Sequence, residues 1–279
     1  MDNFALRLRR AIDERGPLCV GIDPHPELLA RWGLPDTPAG LDRFARIAVD
    51  AFADRVAVIK PQSAFFERYG SAGIATLESC IRQLRDAGAI VLLDVKRGDI
   101  GSTMKAYARA YLDPVSPMSV DAITVTPYLG FGSLQPVIDA ATEHGAGAFV
   151  VTRTSNPDGT GVQHARVADG RTVAQQIIDE ISQVNAGAIP FGSIGAVIGA
   201  TVGDTGLDVT KINGPMLAPG LGAQGARAAD LRTVFGADLS RVLPSYSREI
   251  LSSGPSIDAL RDVAARVLDE CRRVTGNSG

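Results

Sequence analysis

Residues 90–107 read IVLLDVKRGDIGSTMKAY. Four apolar residues, Ile90, Val91, Leu92 and Leu93, come first. Asp94, Lys96 and Asp99 follow with alternating sign, and a helical pattern begins directly behind them. An apolar run this short and continuous reads as a strand buried on both faces, as parallel sheets use. Alternate side chains of a strand share a face, so Asp94 and Lys96 point the same way. Gly98 lets the chain turn, which is expected to return Asp99 to their neighbourhood. Three charges packed at the carboxyl end of a strand form either a structural ion-pair cluster or a catalytic one. That end is where α/β sheets place their chemistry.

The same alternation extends in both directions. Strands are expected at residues 18–23, 56–60, 90–96, 121–125, 147–152, 194–200, 215–218 and 241–244. Helical patterns occupy 4–15, 41–53, 70–87, 101–110, 132–144, 172–184, 229–235 and 257–274, with a short helix near 203–206. This order predicts a (β/α)8 barrel, with residues 1–279 as one catalytic domain. A doubly wound open sheet is the alternative fold. It normally carries a glycine-rich turn after its first strand, and G-x-G-x-x-G is absent. The proline-rich stretch 34–38 and the polar stretch 156–170 read as loops on the same body.

With 279 residues, 45% of them hydrophobic and 21% charged, the chain can bury a large core. A net charge of -3, with no basic stripe, gives no sign of a nucleic-acid partner. Cys19, Cys80 and Cys271 are an odd, widely spaced set with no C-x-x-C, which argues against a disulfide framework. Cys19 and Cys80 fit core positions. His25, His144 and His164 lack metal-ligand spacing. No run approaches the length of a membrane span, and residues 1–10 are charged rather than a signal peptide, so a cytosolic protein is expected.

Three further features carry chemistry. Asp23 closes the first strand in Gly21-Ile22-Asp23-Pro24, where it either caps a turn or faces a ligand. Lys60 ends the second strand, where a lysine either snorkels or is buried for a reason. Residues 219–225, PGLGAQG, resemble a phosphate loop: Gly220, Gly222 and Gly225 let backbone N–H groups face an anion, and Gln224 adds a neutral donor. Arg248, placed at the end of the eighth strand, can grip a phosphate through two parallel hydrogen bonds. Phosphate sites after strands seven and eight are common in this barrel.

With these motifs in order, the sequence resembles the orotidine 5'-phosphate decarboxylases, in the longer bacterial subgroup that carries DxKRGDIG(S/N)T, here residues 94–103. GIDP at 21–24, IKPQ at 59–62, RTSNP at 153–157, PGLGAQG at 219–225 and Ser247-Arg248 also match. Glu249 stands where glycine is more usual, and Thr126 where asparagine is common. The resemblance implies decarboxylation of orotidine 5'-phosphate (OMP) to UMP, with no metal and no organic cofactor. In that family's pattern Lys96 protonates C6 and Asp94 sits against the substrate carboxylate. Lys60 pairs with Asp94 and reaches the ribose, and Asp23 accepts from a ribose hydroxyl. Ser155 binds the pyrimidine, Gln224 and Arg248 hold the phosphate, and Gln62, Asn156 and Gly222 complete the substrate contacts. Asp99 and Thr103 enter the neighbouring subunit's site, which implies a homodimer with shared sites.

Two other readings remain open from the residues. One is a metal-dependent barrel enzyme acting on sugar phosphates, which needs acids free to coordinate Mg2+. The other is a nucleotide-binding regulator that keeps the phosphate site without turnover.

Overall fold

The computed structural model describes residues 2–276. Eight parallel strands close a barrel in sequence order: β1 (Cys19–Ile22), β2 (Val58–Pro61), β3 (Ile90–Arg97), β4 (Ala122–Val125), β5 (Gly147–Arg153), β6 (Ile194–Ile198), β7 (Met216–Ala218) and β8 (Val242–Tyr246). The ring shuts where β1 meets β8, with Cys19 opposite Ser245 and Val20 opposite Tyr246. The doubly wound alternative is thereby excluded.

Alternation along each strand sorts the core into two layers. Val20, Ile22, Ile59, Val91, Leu93, Ile123 and Val125 pack outward against the helices. Cys19, Val58, Leu92, Ala122, Phe149, Val197, Leu217 and Leu243 fill the barrel. The helix Phe4–Arg15 seals its lower end with Phe4, Ala5, Leu8 and Ile12. Phe4 meets Phe149 edge-on, ring centroids 6.1 Å apart. Arg7 ties this helix to the β4 end through Asp121, whose other oxygen accepts from Val91 N–H at 2.8 Å. The bottom is plugged by apolar side chains, and a set of buried polar side chains lies toward the carboxyl ends of the strands. Lys60, Asp94, Thr124 and Ser245 are buried there.

Helix starts follow capping chemistry. Asn3, Thr37, Thr172 and Ser256 each accept a backbone N–H from the first turn of the helix they precede. The long helix Ile257–Thr275 ends at Gly276 in the left-handed region. All three cysteines are buried and unpaired, and burial pushes the Cys19 and Cys80 thiols up to about 12, as fits inert core fillers.

The structure corrects several expectations. No helix forms near 203–206, where Gly203 and Gly206 adopt positive φ. Arg248 does not end β8. The strand stops at Tyr246, and Arg248 opens the short helix Arg248–Leu251. Pro26–Arg31, Ala64–Glu67 and Thr160–Gln163 are further short helices the pattern did not reveal.

Candidate active site

The end of β3 is not a regular strand. β3 and β4 pair at Leu93↔Ile123 and next at Arg97↔Val125, so the ladder shifts register between them. Lys96, inside that shift, has φ of +42°, a region a non-glycine residue rarely occupies. Asp94 still projects into the barrel. Its Oδ2 lies 3.1 Å from Lys60 Nζ and its Oδ1 lies 2.6 Å from Lys96 Nζ. Thr124 Oγ1 donates to the same Oδ1 at 2.8 Å. Asp94 and Lys60 are each 6% exposed, whereas the Lys96 side chain is 46% exposed and reaches toward solvent. Lys60 therefore does not snorkel.

Electrostatics sets the charge states. Burial alone would raise the Asp94 pKa, but the Lys60 and Lys96 ammoniums and the Lys96 and Thr124 hydrogen bonds outweigh it, and the carboxyl is held well below its usual range. Burial likewise acts to lower Lys60. The Asp94 and Asp23 carboxylates reverse that, so its ammonium is held above its ordinary value. Asp94 is thus held as a carboxylate and Lys60 as an ammonium in a buried pair, with the half-exposed Lys96 bonded to Asp94 from the solvent side.

This row forms one wall of a cavity of about 280 Å³ at the carboxyl ends of the strands. Asp23 and His25 beyond β1, Gln62 and Phe65 beyond β2, and Ser245 and Ser247 of the β8 end share it. Asp23 Oδ1 and Ser247 Oγ are buried without a hydrogen-bond partner among the described residues, as suits groups that meet a ligand. A side chain at Gly21 would put its Cβ 2.8 Å from Ser247 Cβ, so only glycine lets β1 approach here. The opposite wall is the glycine loop: Pro219, Gly220, Leu221, Ala223 and Gln224 line the cavity, with Arg248 beside them. Gly220, Gly222 and Gly225 have φ of +98°, +71° and +103°, which gives the loop its sharp turns.

The structure thus brings together Asp23, Lys60, Gln62, Asp94, Lys96, Gln224 and Arg248. It does not bring Asp99, Thr103, Ser155, Asn156 or Gly222 to the same cavity wall. Gly98 turns the chain away, and Asp99 accepts from Ile100 N–H at 2.7 Å instead of meeting Lys96. Thr103 lies exposed in the first turn of the helix Gly101–Leu112, and Ser155 and Asn156 are exposed beyond β5. Gly222 turns the loop from behind, against Tyr246 and Glu249. His25, Phe65 and Ser245 were given no site role from the sequence, and Ser247 entered only as part of the Ser247-Arg248 motif. His25 packs against Phe65, ring centroids 4.2 Å apart, and burial holds its pKa below 6.5. For Ser245 and Ser247 the available signal was strand period, since alternate residues at the end of β8 must face inward.

Among the described residues no three His, Cys, Asp or Glu side chains converge as a metal-ligand set, and both oxygens of Asp94 already meet ammoniums. Also among the described residues, no helix is long and apolar enough to cross a membrane.

Fold and site together define a (β/α)8-barrel enzyme whose cavity joins a buried lysine–aspartate row to a glycine-rich loop. Comparison with known proteins gives the family. Residues 16–263 match the model of the orotidine 5'-phosphate decarboxylase / HUMPS family, and the chain belongs to it. It is 66% identical to an orotidine 5'-phosphate decarboxylase of Salinispora tropica, across 98% of both chains, and 58% identical to one of Streptomyces coelicolor over the same shares. The crystal structure of a Streptomyces avermitilis protein assigned as this decarboxylase superposes with a TM-score of 0.96 at 56% identity, over 99% of this chain and 97% of that one. The Leishmania donovani OMP decarboxylase, at 29% identity, gives 0.77 over 98% and 99%.

Proposed function

We propose that this chain decarboxylates OMP to UMP and CO2, the last step of UMP synthesis, without metal or organic cofactor. The observation that carries this is the Asp94 carboxylate fixed between two ammoniums at one wall of the cavity, with an anion-type loop and Arg248 at the other. Loss of CO2 from C6 leaves an electron pair that the ring delocalises poorly, the kind of slow reaction for which enzymes supply their largest accelerations. Lys96 Nζ stabilises that developing charge and then delivers its proton to C6. Asp94 stands against the substrate carboxylate and is relieved as CO2 departs, while Lys60 keeps Asp94 ionised. Asp23 and Lys60 hold the ribose hydroxyls, and Gln62 lies beside them. The backbone around Gly222, Gln224 and Arg248 hold the phosphate.

Ser155 and Asn156 complete the pyrimidine contacts when the loop beyond β5 closes. Asp99 and Thr103 act in the site of a second copy. Exposed Ile100, Tyr128 and Leu129, on the adjacent connections after β3 and β4, favour a dimer packed over the barrel mouth. A cytoplasmic homodimer is the form this reading implies.

The test is incubation with OMP in EDTA while pyrimidine absorbance is followed. Rapid loss supports the decarboxylase. A requirement for Mg2+ moves the assignment to a metal-dependent sugar-phosphate enzyme, and tight binding without turnover moves it to a nucleotide-binding regulator.

A further inference from the structure

Between Leu93↔Ile123 and Arg97↔Val125, three residues of β3, namely Asp94, Val95 and Lys96, face one residue of β4, Thr124. A bulge of this kind takes backbone N–H groups out of the ladder, and buried N–H groups without partners are costly. Thr124, 1% exposed, fills that gap with its side chain. Its Oγ1 accepts from Val95 N–H at 3.1 Å and from Lys96 N–H at 2.9 Å. The same hydroxyl donates to Asp94 Oδ1 at 2.8 Å. A hydroxyl has one hydrogen and two lone pairs, so its capacity is full. The directions are forced, because amides only donate and an ionised carboxylate only accepts. Lys96 sits at φ +42°, which a non-glycine residue keeps only when its surroundings hold it there.

We propose that Thr124 is a positioning residue for the decarboxylation: its hydroxyl locks the β3 bulge in the conformation that delivers the Lys96 ammonium to the cavity, and it fixes the Asp94 oxygen that the ammonium meets. The proposal rests on Lys96 being the proton donor. Without the hydroxyl, two amides lose their acceptor and Lys96 relaxes toward ordinary strand geometry, which swings its side chain. A displacement of about 1 Å at a reacting group costs about 100-fold in rate.

Thr124→Val keeps the shape and removes the hydroxyl, and Thr124→Ser keeps the hydroxyl and removes the methyl. Each is measured for kcat and KM with OMP, for UMP affinity, and for hydrogen exchange at the Val95 and Lys96 amides. The valine variant is expected to lose about 100-fold in kcat with UMP affinity within about threefold of wild type. The serine variant is expected to stay within about fivefold in kcat. Exchange at the two amides accelerates in the valine variant alone. A valine variant with kcat within about threefold of wild type overturns the proposal. So does a serine variant as damaged as the valine one, which would place the effect in methyl packing. Should the valine variant not fold, Thr124→Ala compared with Thr124→Ser asks the same question at smaller volume. If wild type does not turn over OMP, the functional reading fails, and exchange at the two amides still decides whether Thr124 holds the bulge.

Discussion

Asp94 stays ionised though only 6% exposed, and the two lysines make that sustainable. A buried charge left without its partner is strongly destabilising. Lys60→Met should therefore cost about 3 kcal/mol in urea unfolding, since Asp94 keeps only the half-exposed Lys96. The pH dependence follows from the direction of each shift. Asp94's folded pKa is depressed, so its contribution is complete above its ordinary 3.8 and is lost as pH falls through the folded value. Lys60's is raised, so its contribution is complete below 10.5 and is lost as pH rises through the folded value. The gap between wild type and Lys60→Met should be widest between those limits and narrow outside them. Lys96→Ala is a different lesion. It should lower kcat by about 10⁴-fold, with UMP affinity changed less than about tenfold, because a proton donor acts mainly in the transition state. At this scale the sequence was informative where residues broke a pattern. A lysine and an aspartate ending apolar strands stand out. Thr124 does not, because threonine is an ordinary strand former, and nothing in its neighbours indicates three bonds on one hydroxyl.

Among elements, the strands were legible because both their faces are buried, and the long helices because their apolar stripes repeat over several turns. Pro26–Arg31, Ala64–Glu67, Thr160–Gln163 and Arg248–Leu251 span too few turns to show a period, so they read as loop. The last matters most, because it places Arg248 one short step past β8, on a short helix beside the glycine loop with which it lines the cavity. Arg248→Ala should lower kcat/KM by about 10³-fold or more. Added phosphite dianion should restore part of the turnover of a phosphate-free substrate, since remote binding energy closes loops around the reacting centre. No response to phosphite would confine Arg248 to simple binding.

For the whole molecule, barrel closure and strand order were legible from the alternation alone. The place of Asp99 was legible only in part: Gly98 allows a return toward Lys96, but the turn at Arg97-Gly98 carries Asp99 away within its own chain, and a role in a neighbouring site came from the family resemblance. A two-fold dimer resolves this if Asp99 and Thr103 of one copy meet Lys96 of the other. Lys96→Ala and Asp99→Asn, each inactive alone, should regain roughly a quarter of wild-type activity when unfolded and refolded together in equal amounts. Random pairing makes about half of the dimers mixed, each with one intact site. No recovery would mean that both residues serve one chain's site.

The joint between β1 and β8 has a consequence for how the chain is made. The first strand to leave the ribosome finds its second neighbour only in the last. At ~5–20 residues per second, Cys19–Ile22 waits on the order of tens of seconds with one edge unpaired. Parallel pairing cannot be borrowed from a nearby hairpin, and an open apolar edge invites other nascent chains. A message truncated before Val242 would thus yield a sheet with two sticky rims, at β1 and β7, whose easiest way to satisfy them is to join another copy.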